Sequence, residues 1–65
     1  MRSRDVIRRL EADGWREVAR KARKGSHAQF KHPTKAGRVT VPDPRRNIPI
    51  GTLRSIEKQS GVKLV

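Results

Sequence analysis

Six consecutive residues, 25 to 30, combine a group able to transfer protons with the pattern of a β-strand. Alternate side chains of a strand point to opposite faces, which divides this stretch and the residue after it into two sets. The polar set is His27, Gln29 and Lys31, and the apolar set is Ala28 and Phe30. Because the apolar set must enter the core, His27 is predicted on the outer face of a sheet. Histidine is the side chain that gains and loses a proton near neutral pH, which makes His27 a candidate general acid or base.

The net charge indicates the kind of molecule that meets this surface. Seventeen Lys and Arg residues against six Asp and Glu give a formal net charge of +11. Such an excess attracts phosphodiester backbones, and it would also draw an acidic protein. A histidine in a basic field is typical of a small ribonuclease or an RNA-binding module. A surface histidine without a chemical role is the alternative.

Length and composition set further bounds. A chain of 65 residues makes one domain, residues 1–65, that buries only about 60% of its unfolded surface and is therefore marginally stable. It contains no cysteine, so disulfides and thiolate metal sites are excluded, and a cytoplasmic location is expected. No apolar run approaches the length of a membrane span or a signal peptide.

A helix is predicted over residues 3–13, with Ser3 as N-cap and Gly14 ending it. Strands are predicted over residues 15–20, 26–32 and 38–41. The first strand alternates imperfectly, which a bulge or a partly helical ending would explain. Residues 42–47 are predicted as a loop because they hold two prolines. A second helix is expected from residues 50–52 to just before Gly61. Its predicted core contacts are Ile50, Leu53 and Ile56, and the tail 62–65 is expected to pack on the protein.

This order predicts an α+β fold, α-β-β-β-α, in which a three-stranded antiparallel sheet carries both helices on one face. The other face would present His27 among the residues predicted to bind RNA. Gly25 would permit an unusual backbone angle and Ser26 would satisfy backbone groups of the turn. The predicted RNA-binding residues are Lys21, Arg23, Lys24, Gly25, Ser26, Gln29, Lys31 and Arg38.

Other chemistries fit less well. His27 and His32 would fall on opposite faces of one strand, so no metal site and no cofactor is predicted. Ser26 and His27 also point apart, and no carboxylate is placed to orient the histidine, which argues against a serine hydrolase. His32 is either structural or a phosphate contact. A double-stranded-RNA-binding module without catalysis remains the alternative function, and a DNA-binding regulator is disfavoured because no helix-turn-helix pattern is present.

Five short motifs in order resemble the HicA toxins, small mRNA interferases of prokaryotic toxin–antitoxin pairs with a double-stranded-RNA-binding-domain-like fold. The resemblance covers about residues 3–61. The motifs are Ser3-Arg4-Asp5, Asp13-Gly14-Trp15, Gly25-Ser26-His27, Phe30-Lys31-His32-Pro33 and Ile48-Pro49-Ile50-Gly51-Thr52.

The resemblance implies that His27 is the catalytic residue of a metal-independent endoribonuclease that cleaves mRNA. It also implies a HicB-like antitoxin partner, which we expect to cover His27. The chain departs from the family pattern in two places. The first hairpin is about three residues longer than usual, and Asp43 stands where many members carry a loop histidine, so any role of that histidine is lost here.

Overall fold

The computed structural model describes residues 1–20 and 27–65. Within them the chain forms α1, β1, β2, β3 and α2 in that order, and the strands make one antiparallel sheet with β2 at its centre. The elements are α1 Ser3–Asp13, β1 Arg16–Arg20, β2 His27–Lys31, β3 Val39–Pro42 and α2 Ile50–Ser60. Both helices pack against β3. The predicted α+β class and the order α-β-β-β-α are confirmed.

The start of α1 differs from the prediction. The N-cap is Arg2, and it makes no side-chain capping bond, whereas Ser3 is the first helical residue. The hydroxyl of Ser3 donates instead to Oδ1 of Asp43 at 2.6 Å, across 40 residues of sequence. The prediction of Ser3 as N-cap was therefore wrong, because its side chain bonds to Asp43 rather than to the backbone of the helix. The other end is as predicted, with Gly14 in the left-handed region at φ 109°.

The irregularity of the first strand is a bulge. The register of β1 against β2 shifts between Glu17 and Ala19, and Val18 lies half exposed at this point. Trp15 lies just before the strand rather than in it, and its side chain is completely buried. The bulge thus explains the imperfect alternation: it leaves Val18 outside the core, whereas Trp15 enters the core before the strand begins.

The inner face of the sheet is apolar. Ala28 pairs with Val41 and Phe30 pairs with Val39, and all four side chains are completely buried. The third strand runs one residue beyond the predicted end, to Pro42. Proline is tolerated there because β3 is an edge strand. The core comprises Val6, Leu10, Trp15, Ala28, Phe30, Val39, Val41, Ile48, Leu53, Ile56 and Leu64.

The second helix buries Leu53 and Ile56, as predicted, but Ile50 is 56% exposed. The buried stripe of α2 is made by Leu53, Ile56 and Ser60. At 3.6 residues per turn, Ile50 lies about 90° around the helix from the middle of that stripe. The placement of Ile50 in the core was therefore wrong, and Ile48, just before the helix, is buried in its place.

The C-terminal tail packs as expected. Leu64 is buried, and the Glu57 carboxylate accepts hydrogen bonds from the backbone N–H groups of Leu64 and Val65 at 2.6 and 2.8 Å. Both bonds lower the pKa of Glu57, and the bond from Val65 has the larger effect. The Glu57 side chain therefore holds the C-terminal residues against the core.

Among the described residues, neither helix is long and apolar enough to cross a membrane.

Candidate functional site

The outer face of β2 displays His27 as the alternation predicted. His27 and Lys31 are exposed at the two ends of the strand, while Ala28 and Phe30 between them are buried. The register sets His27 opposite Pro42 of β3. Burial of the two apolar residues therefore fixes which way the imidazole faces, and it faces solvent.

Three of the predicted RNA-binding residues lie on this face. Gln29 is partly buried in the middle of β2 and pairs with Thr40. Nη1 of Arg38, just before β3, donates to Oε1 of Gln29 at 2.8 Å. Lys31 lies at the far end of β2, opposite Arg16 of β1. The structure thus brings Gln29, Lys31 and Arg38 onto one surface with His27.

The spacing along β2 separates the possible roles of these residues. Residues of a strand advance by about 3.3 Å, so the backbones of His27 and Gln29 lie roughly 7 Å apart and those of His27 and Lys31 roughly 13 Å apart. The bond to Gln29 holds the Arg38 guanidinium group beside the middle of β2, whereas Lys31 lies at the far end of the strand from His27.

The remaining predicted residues, Lys21, Arg23, Lys24, Gly25 and Ser26, lie outside the described residues. Within the described part of the chain, no hydrogen bond or ion pair joins the His27 ring to another side chain. An exposed imidazole in this setting is accessible to a proton donor or acceptor on a ligand.

His32, the other histidine, has a different environment. Its Nε2 donates to the Asp13 carbonyl at 2.7 Å, and its Nδ1 accepts the backbone N–H groups of Thr34 and Lys35, both at 3.1 Å. Its ring also meets Trp15 edge to face at 5.2 Å. The Nε2 bond ties the end of β2 to the end of α1 and the Nδ1 bonds close the turn over residues 32–35, which supports the structural alternative for His32.

A salt bridge strengthens the same junction. Lys35 Nζ lies 2.6 Å from Asp13 Oδ2 and also donates to the Ser60 carbonyl at 3.1 Å. The hydrogen bond and the charge of the Lys35 ammonium group lower the pKa of the Asp13 carboxyl. These contacts join α1, α2 and the segment after β2, and so position the strand that carries His27.

A cleft beside the loop that follows Pro42 was not predicted from the sequence. It encloses about 580 Å³ between the start of α1 and the loop after β3. We call it the arginine cleft. Its lining residues are Arg2, Ser3, Arg4, Asp43, Pro44, Arg45 and Arg46. The one available signal was the pair Arg45-Arg46, which resembles any solvated basic loop until Arg2 and Arg4 are placed beside it.

Comparisons with known proteins agree with this fold. A solved structure described as the HicA3 and HicB3 toxin–antitoxin complex contains a chain that is 38% identical, with a TM-score of 0.87 and full coverage of both chains. No curated protein sequence matches the chain. The family model of the HicA toxin of bacterial toxin–antitoxin systems matches residues 3–62. The chain therefore belongs to the HicA toxin family.

Proposed function

We propose that this protein is a toxin that cleaves mRNA as a metal-independent endoribonuclease, with His27 as its general acid or base. The observation that carries the proposal is the exposed imidazole of His27 on the outer face of β2, in a chain of net charge +11 that belongs to the HicA family. The position of His27 within the motif Gly25-Ser26-His27, where the family resemblance places the catalytic histidine, adds support.

The reaction needs few protein groups because RNA supplies its own nucleophile. Neutral His27 accepts the proton of a ribose 2′-hydroxyl as the 2′-oxygen forms a bond to the adjacent phosphorus. The bond from phosphorus to the 5′-oxygen of the next nucleotide breaks, and that oxygen takes a proton from water or from a protonated His27. The products are a 2′,3′-cyclic phosphate and a free 5′-hydroxyl, so atoms and charge balance without an added cofactor.

Basic residues stabilise the charge that develops on the phosphoryl oxygens. Among the described residues, Arg38 is the best placed, because its bond to Gln29 holds the guanidinium group beside the middle of β2. Lys31 would hold a neighbouring phosphate. Lys24 is close to His27 in sequence and is proposed to act on the same phosphate.

The test is cleavage of a structured mRNA by purified protein in EDTA. We expect His27→Ala to abolish cleavage and growth toxicity, and to leave thermal stability and RNA affinity near wild type because the side chain is exposed. Thr40→Ala, an exposed residue of the same face, is the matched control and should still cleave. Cleavage by His27→Ala at the wild-type rate would overturn the assignment, and loss of wild-type activity in EDTA would overturn the metal-free mechanism. RNA binding without cleavage by the wild type would indicate the binding-module alternative.

We also propose a HicB-like antitoxin as the partner of this toxin. The support is the similarity to a chain of a toxin–antitoxin complex, together with a basic surface that favours an acidic partner. Binding should cover His27 and raise the melting temperature of this small domain by mass action. Chemical modification of the His27 imidazole should be slower in the complex than in the free toxin. A complex in which His27 stays open to solvent while cleavage is blocked would require an allosteric mechanism instead.

A further inference from the structure

We propose that the arginine cleft is a second phosphate-binding subsite, which holds the RNA strand on one side of the scissile phosphate. This inference rests on the proposed function, because it assigns a path to the substrate of His27. The cleft begins close to that residue along the backbone, at the end of the edge strand β3: Pro42 is the β3 partner of His27, and Asp43 is the next residue and the first of the loop to line the cleft.

The distance suits a continuous nucleic-acid strand. Paired residues of antiparallel strands have Cα atoms about 4.5–5.5 Å apart, and one further residue adds about 3.3 Å. The cleft therefore starts within roughly 10 Å of the His27 backbone. A strand with its scissile phosphate at the imidazole brings neighbouring phosphates into this range. RNA is the proposed occupant because its phosphates repeat along the strand and match the bidentate geometry of guanidinium groups.

The charge of the cleft matches that ligand. Four arginines and one aspartate line it, which leaves a formal charge of +3. Guanidinium groups bind phosphate oxygens in a bidentate manner and stay charged at every relevant pH. The ion pairs between described residues involve Asp13, at the opposite end of α1. The four guanidinium groups are therefore available to a ligand.

The loop that presents two of these arginines is fixed in place. The Ser3 N–H donates to the Arg45 carbonyl at 3.0 Å, and the Arg45 N–H donates to the Ser3 hydroxyl at 3.1 Å. That hydroxyl donates to Asp43, and the Ile48 N–H donates to the Met1 carbonyl at 3.0 Å. Ser3 is only 3% exposed. The two walls of the cleft are thus held together by backbone and buried side-chain bonds, which leaves the arginine side chains free to bind.

The experiment measures binding of a fluorescent single-stranded RNA across a range of salt concentrations, in a His27→Ala background that keeps the RNA intact. Each phosphate contact to a single strand contributes about 0.7 to the slope of log K against log salt. Loss of two contacts should reduce the slope by up to about 1.4. If the variant and the wild type bind equally at 1 M salt, the variant then binds about 25-fold more weakly than the wild type at 0.1 M salt. We expect this for R45Q/R46Q. The control R54Q/K58Q removes the same charge from exposed positions of α2 that do not line the cleft, and should lose less than threefold.

A second pair, R2Q/R4Q on the opposite wall, should weaken binding in the same way, and guards against a local folding defect in the first. Equal losses in the cleft and control variants would overturn the inference and leave only a general charge field. So would unchanged RNA affinity with loss of antitoxin binding, which would assign the cleft to a protein partner. If the wild type binds RNA through the cleft but never cleaves it, the proposed function fails while the subsite stands.

Discussion

Gly14→Ala tests the junction that holds the strand of His27 in place. Gly14 follows α1 at φ 109°, a conformation that residues with a Cβ rarely adopt. A Cβ at this position would lie 2.8 Å from Nε2 of His32. That nitrogen makes the 2.7 Å bond to the Asp13 carbonyl, so the substitution forces the imidazole away from its partner.

The magnitude follows from two separable contributions. The left-handed backbone costs a residue with a Cβ about 1–2 kcal/mol, and loss of the His32 hydrogen bond adds about 0.5–1.5 kcal/mol. We therefore expect Gly14→Ala to lower the free energy of unfolding by about 1.5–3.5 kcal/mol. Gly37→Ala is the matched control, because Gly37 also has positive φ, 82°, but no atom within 4 Å of its Cβ position. It should show the backbone cost alone.

Urea unfolding, followed by the fluorescence of the single and fully buried Trp15, measures both variants. Because the free energy of unfolding of a small protein changes by about 1–3 kcal/mol per M urea, a difference of about 0.5–1.5 kcal/mol between the variants gives a resolvable shift of the urea midpoint. A His32→Ala background removes the steric conflict, and there the cost of Gly14→Ala should fall to that of Gly37→Ala. Equal costs of Gly14→Ala in both backgrounds, or a cost no greater than that of Gly37→Ala, would refute the reasoning.

Two further predictions concern stability. Ser3→Ala should destabilise the protein by about 1–3 kcal/mol, because it removes the buried hydroxyl that donates to the Asp43 carboxylate and accepts the Arg45 N–H. The control is Ser55→Ala, at an exposed position of α2, which should change stability by less than about 0.5 kcal/mol in the same unfolding assay. Glu57→Gln should lower the melting temperature near neutral pH, and the difference between the variant and the wild type should shrink as the pH falls below about 4.5. Because folding lowers the pKa of Glu57, the carboxylate stabilises the protein above its ordinary pKa of 4.5, and this stabilisation is lost as the carboxylate is protonated. A melting-temperature difference that is constant from pH 3 to pH 7 would contradict the role given to this carboxylate.

The sequence was sufficient for features that depend on local periodicity. Alternation over residues 27–31 predicted which side chains of β2 are buried, because a strand cannot place Phe30 in the core without turning His27 outwards. Gly14 and Gly61 marked the ends of both helices, since each has a positive φ that few other residues adopt. The family resemblance rested on the same short motifs.

Two predictions made from local patterns were wrong, because contacts with distant residues determine these positions. Ser3 had the residue type and position of an N-cap, but it binds Asp43, 40 residues away, and no local pattern identifies that partner. Ile50 shared the apolar spacing of α2, yet the direction in which the helix faces β3 leaves it in solvent. Each outcome was set by packing between elements.

The sequence by itself thus determined the order of the elements, the outward orientation of His27 and the strongly basic character of the protein. Tertiary structure alone decided that Arg2 and Arg4 stand beside Arg45 and Arg46, and that this cleft adjoins the strand pair of His27 and Pro42. The physical reason is that backbone periodicity is expressed over a few neighbouring residues, whereas an electrostatic site is made by side chains that only the packed fold brings together.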